Sequence, residues 1–155
     1  MAKRLIKEGV DINTKGGPGQ QTPLMTAVLQ GQANMVGLLL DSGADPTIGE
    51  KDGYTPVHGA AYQGRANVMK ILIDKNFDLN EVHRDGFTPL HRACWGKEQR
   101  HTDTVKLLLN AGVDPKQPSS TGVECIQMTR NEETKKVVGQ QLFAKNMRQQ
   151  EEHEL

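Results

Sequence analysis

Five histidines and two cysteines are the side chains of this sequence that could run a reaction or hold a metal. A general base or a zinc ligand needs a partner at a recognisable spacing. His58 and His91 stand instead at the same place in two copies of one phrase, three residues after Thr55 and Thr88. A catalytic base is needed once, whereas a structural hydrogen bond is needed in every copy of a repeated unit, so the repetition argues for structure. His83, His101 and His153 have no Cys, Asp or Glu at ligand spacing. Cys94 and Cys125 lie inside predicted helices without metal or redox spacing. They read as free core thiols of a reducing compartment. Gly16-Gly17-Pro18-Gly19 lacks the Lys-Ser/Thr that completes a phosphate-cradling loop, and reads as a loose, flexible hairpin. Asp52, Asp85 and the series Asp45, Asp78 and Asp114 recur with the repeat, which suits turn and capping roles better than a catalytic carboxylate pair. The sequence therefore predicts no enzyme, no cofactor and no metal site.

The elements that would position these residues follow from the repeat. Thr22-Pro23-Leu24, Thr55-Pro56-Val57 and Thr88-Pro89-Leu90 are spaced 33 residues apart. In each, Thr can cap a helix through its hydroxyl while Pro occupies the first helical position, where a missing N–H costs nothing. Small residues follow, then a second apolar stripe such as Val68, Met69, Leu72 and Ile73, spaced for one buried helix face. Ser42-Gly43, Lys75-Asn76 and Ala111-Gly112 supply a left-handed residue that ends that helix. Polar turns such as Glu50-Lys51-Asp52-Gly53 and His83-Arg84-Asp85-Gly86 join the units as tight hairpins.

On these residues the chain resembles the ankyrin-repeat family, over roughly residues 4 to 140. The resemblance implies an all-α repeat solenoid of helix-turn-helix units joined by β-hairpin loops. It also implies that the phrase's Thr and His hydrogen-bond between neighbouring repeats, a role Met25 cannot fill in the first copy. The predicted units are a partial repeat over 1–13 holding only a second helix, repeats over 14–49, 50–82 and 83–118, a degenerate capping repeat over 119–147 and a polar tail over 148–155. In the 83–118 unit the spacing from Asn76 to Gly112 is 36 residues rather than 33, and the three-residue excess reads as a loop within Gly96 to His101, a feature that often serves binding. Residues past Met147 read as frayed.

Composition narrows the partner. Nineteen basic and nineteen acidic residues cancel, so there is no global field for nucleic acid. No apolar stretch approaches the ~20 residues of a membrane span, and the chain reads as cytoplasmic or nuclear. Glu152-His153-Glu154-Leu155 misses the first two positions of an ER-retention signal.

In the family, hairpin tips and the exposed face of each first helix line a concave groove. The residue before the repeated Thr is Gln21, Tyr54 or Phe87, and the first exposed position after the small residues is Leu29, Tyr62 or Trp95. Four of the six aromatics fall on these two positions, with Phe77 and Phe143 reading as packing residues. Aromatic anchors are enriched at interface centres. The predicted partner-binding set is therefore Leu29, Gln30, Lys51, Tyr54, Tyr62, Gln63, Arg84, Phe87, Trp95 and Lys97. The competing reading is that Tyr54 and Phe87 only cover neighbouring hairpins while Trp95 packs on the inserted loop. The function expected is a non-catalytic module that binds a peptide or protein domain. The alternative is a targeting region belonging to a larger enzyme or scaffold. A monomer is expected, with end-to-end pairing through the N-terminal unit as a second possibility. Asn13 and Asn80 follow Asp-Ile and Asp-Leu, where the family resemblance allows asparaginyl hydroxylation and a turn role is the simpler reading.

Overall fold

A computed structural model of the chain describes residues 11–154. The predicted partial unit over 1–13, and with it the N-terminal pairing surface, falls almost wholly outside the described residues. Among the described residues eight helices form four pairs: α1 (Pro23–Gln30) with α2 (Ala33–Asp41), α3 (Pro56–Gln63) with α4 (Ala66–Asp74), α5 (Pro89–Trp95) with α6 (Gln99–Asn110), and α7 (Cys125–Met128) with α8 (Glu132–His153). First helices stack on first helices and second on second, giving two layers with one continuous core between them.

Local chemistry sets these boundaries. Thr22 caps α1 by accepting from the Met25 N–H at 3.2 Å, and Pro opens α1, α3 and α5. Gly43, Asn76 and Gly112 follow the second helices with φ of 91°, 61° and 100°, the left-handed residues the sequence predicts. Val28, Val36, Ala60, Ala61, Val68, Leu72, Leu90, Ala93 and Leu108 are buried between the layers. Small side chains let neighbouring first helices approach within their layer. At Gly59 an added Cβ would sit 3.1 Å from Leu29 and Met25 of the preceding unit.

The hairpin tips are turns rather than ribbons, and no strand forms among the described residues. Backbone bonds from the His83 N–H to the Phe87 carbonyl at 2.9 Å and from the Ser119 N–H to the Val123 carbonyl at 2.8 Å close two of them. The glycine-rich tip expected to be loose is the better paired: Gly16 and Gln21 exchange both backbone bonds, at 3.0 and 3.1 Å.

Four further expectations are corrected. The surplus residues of the third full unit do not form a loop. They lengthen α6 to twelve residues, against nine in α2 and α4. No Gly or Pro lies between Lys97 and Asn110 to stop a helix, and the extra turn brings His101 into the core edge beneath Gly96, where any Cβ would collide with the imidazole. Residues beyond Met147 continue α8 to His153. Phe143 is 68% exposed rather than packed. Cys94 and Cys125 are fully buried, as read, but they are joined to each other by a disulfide between α5 and α7. Their Cα atoms are 5.8 Å apart, within the range a disulfide spans. Stacking of neighbouring units creates that proximity, which no spacing rule along one chain could reveal.

Candidate functional site

The repeated histidine shows how the units lock together. Nε2 of His91 donates to the Val123 carbonyl of the next unit at 2.8 Å, while Nδ1 accepts from the Thr88 hydroxyl at 2.7 Å. One neutral tautomer satisfies both bonds. The preceding unit is wired differently. Thr55 turns its hydroxyl to the Glu81 carboxylate at 2.9 Å rather than to His58. Burial lowers the pKa of both imidazoles, so the fold holds them neutral. An unfolded chain would protonate them below the ordinary value of 6.5. Stability should accordingly be level above neutrality and fall as pH drops through 6.5 toward the lowered folded values, by at most about 1.4 kcal/mol per pH unit for each histidine. Melting temperatures recorded between pH 7.5 and 5 test this, and His91→Gln, which cannot titrate, should flatten the slope.

A second ladder secures the ends of the first helices. The Leu29 carbonyl accepts from Arg65 Nε at 2.9 Å, the Tyr62 carbonyl from His101 Nε2 at 3.0 Å, and the Gly96 carbonyl from Asn131 Nδ2 at 3.3 Å. Each cap comes from the following unit. His101, expected in a binding loop, is therefore a buried fastener of the helix that carries Tyr62. Asn13 and Asn80 also bridge units, accepting from the Asp45 N–H at 2.8 Å and from Gln117 Nε2 at 2.9 Å.

On the face formed by the tips and first helices, the four aromatics come together. Tyr54 and Tyr62 lie 6.0 Å apart between ring centroids, and Phe87 and Trp95 4.9 Å apart. Tyr54 also packs at 4.7 Å on His83 of the next tip. Between the two pairs stands Arg92, only 3% exposed, with its guanidinium 5.1 Å from the centroid of Tyr54, 5.3 Å from Phe87 and 5.1 Å from Trp95. A cation over three ring faces is attracted to each π-cloud. Its charge is balanced by a hydrogen-bonded ion pair with Asp85. Burial pushes the Asp85 carboxyl up, but hydrogen bonds from Arg92, the Phe87 N–H and His83 outweigh it and bring it to about 2. Burial raises the Tyr54 phenol, which stays un-ionised.

This is the array of stacked helix pairs that the sequence resemblance implies, although the Thr88–His91 bond lies within one unit and it is His91 alone that reaches the next unit, at the Val123 carbonyl. A three-copy ankyrin-repeat model matches residues 45–119, and a many-copy ankyrin-repeat model matches residues 5–60. The chain belongs to the ankyrin-repeat family. Ankyrin repeats are in general protein-interaction modules. No curated protein matches the chain closely enough to count as a relative.

Within this ankyrin array the predicted surface residues divide into two groups. Tyr54 and Phe87 are half-buried and form a floor, whereas Tyr62 and Trp95 are 47% and 44% exposed and present their rings to solvent. Leu29 and Gln63 are half-buried, and Gln30, Lys51, Arg84 and Lys97 are exposed. Tyr54 covers the neighbouring tip through His83, and Trp95 rests on Phe87 and Arg92. Sequence reasoning missed Arg92. The signal available was that a long cation occupies the slot of Thr26 and Gly59, between two aromatics and seven residues after an aspartate. Among the described residues there is no cluster of metal-ligating side chains, and no helix is long and apolar enough to cross a membrane.

Proposed function

We propose that this ankyrin array binds a peptide or a protein domain on the face formed by its first helices and tips, with Tyr62 and Trp95 as the anchors. The observation that carries this reading is two large aromatic faces held open to solvent above a floor of Tyr54, Phe87 and caged Arg92. Rings fixed before binding lose little conformational freedom when a partner covers them. Once Asp85 is committed to Arg92, Lys51, Arg84 and Lys97 belong to no ion pair among the described residues. They form a polar rim with Gln30 and Gln63 around the aromatic centre, which Leu29 extends on its apolar side, an arrangement common to protein interfaces.

The test uses Tyr62→Ala and Trp95→Ala rather than changes to the half-buried floor, because exposed rings can be removed without disturbing the helices. A partner isolated by affinity capture and then purified should bind each variant roughly tenfold or more weakly, with an unchanged helical signal. Full affinity in the double variant would overturn the assignment of the face.

A further inference from the structure

We propose that α8 pairs with α8 of a second copy of this chain, antiparallel, about a twofold axis level with Lys145. The helix buries one side on the array through Thr134 and Val138 and ties Lys145 to Asp114 at 2.7 Å. Phe143 and Met147, 68% and 44% exposed, point the other way. At about 100° per residue they lie roughly 140–180° around the helix from Val138. A phenylalanine this exposed in the middle of a regular helix leaves apolar area uncovered that a partner could bury.

The pattern on that outer side identifies the partner as a copy of itself. Phe143 and Met147 are each two residues from Lys145, Gln140 and Gln150 are each five, and Lys136 and Glu154 are each nine. All six share the outer face at helical spacing, and the four polar ones are exposed. An antiparallel copy centred on Lys145 therefore sets Phe143 against Met147, Gln140 against Gln150 and Lys136 against Glu154, each pairing occurring twice. Sulfur on an aromatic ring, amide on amide and cation on anion are all favourable, which is the self-complementarity an isologous interface requires. Lys136 and Glu154 belong to no ion pair among the described residues. A parallel partner in register would place Lys136 against Lys136 and Glu154 against Glu154, so charge selects the antiparallel arrangement. A single helix pair is a small interface, which places the dissociation constant on the order of 10–100 µM.

Sedimentation equilibrium of the full chain from about 1 µM to about 1 mM should show a monomer–dimer equilibrium in this range. Phe143→Gln should weaken it at least about tenfold with unchanged helical signal, because the side chain is exposed in the isolated chain. Lys136→Glu and Glu154→Lys should each weaken it roughly three- to tenfold, and the double exchange should restore it. A monomer at every concentration, or a dimer indifferent to Phe143→Gln, overturns the proposal. Failure of the double exchange to restore association overturns the antiparallel register. A dimer that survives Tyr62→Ala and Trp95→Ala keeps this surface separate from the partner-binding face.

Discussion

Replacing Arg92 by alanine is expected to cost about 3 kcal/mol of stability, although the position lies on the aromatic face rather than in the apolar core. The guanidinium fills the space between Tyr54, Phe87 and Trp95 and holds the Asp85 carboxylate. Its removal opens a void among three rings and leaves that carboxylate without its cation. Asp85 is 39% exposed, so water takes over part of the lost pairing, and the expected cost sits at the lower end of the range for broken buried pairs. Two companion variants separate the contributions. Arg92→Met refills the void and should recover part of the loss, and adding Asp85→Asn, which removes the stranded charge, should recover more. Chemical denaturation of the three proteins measures this, and equal stability of Arg92→Ala and the parent would refute the cage as a structural element. The Asp85 carboxyl offers a second reading of the same contact. It sits at about 2 in the folded chain, below its ordinary 3.8, so its contribution is complete above that ordinary value and is lost as pH falls toward 2. In Arg92→Met its titration, followed by NMR, should move up toward the ordinary value.

Reduction of the Cys94–Cys125 bond is expected to have an effect of similar or larger size. The bond closes a loop with a sequence separation of 31, and loop closure of that length restricts the unfolded chain by about 3–4 kcal/mol. It also holds the weakest helix. The span of α7 is four residues, a single turn that cannot sustain itself by its own hydrogen bonds. Because each unit of a solenoid touches only its neighbours, the loss should be local: α7 and α8 should exchange their amide hydrogens first on reduction, while α1 to α4 keep their protection. Thermal melts with and without reductant check the total, and a Cys94→Ala, Cys125→Ala variant should be indifferent to reductant. Equal melting of the parent chain in both conditions would show that the bond carries no stability. The bond also makes the strength of the C-terminal pair depend on the redox state of its surroundings, which free thiols would not do.

Much of this protein is determined by local chemistry that a sequence displays openly. Thr-Pro at a fixed interval fixes where first helices begin, because a hydroxyl cap and a proline at the first position are satisfied at a helix start. Gly43, Asn76 and Gly112 fix where second helices end, because those positions require positive φ. The burial of Val68, Met69 and Leu72 follows from their spacing on one helix face, and the grouping of Tyr54, Tyr62, Phe87 and Trp95 follows from the register of stacked repeats. What only the tertiary structure decided involves residues of different units. Cys94 meets Cys125, Arg92 reaches the Tyr54 ring, and His101 caps the carbonyl of Tyr62. Each outcome depends on the rotation and rise between neighbouring units, which set side-chain distances to within an ångström and leave almost no trace in the order of residues along the chain.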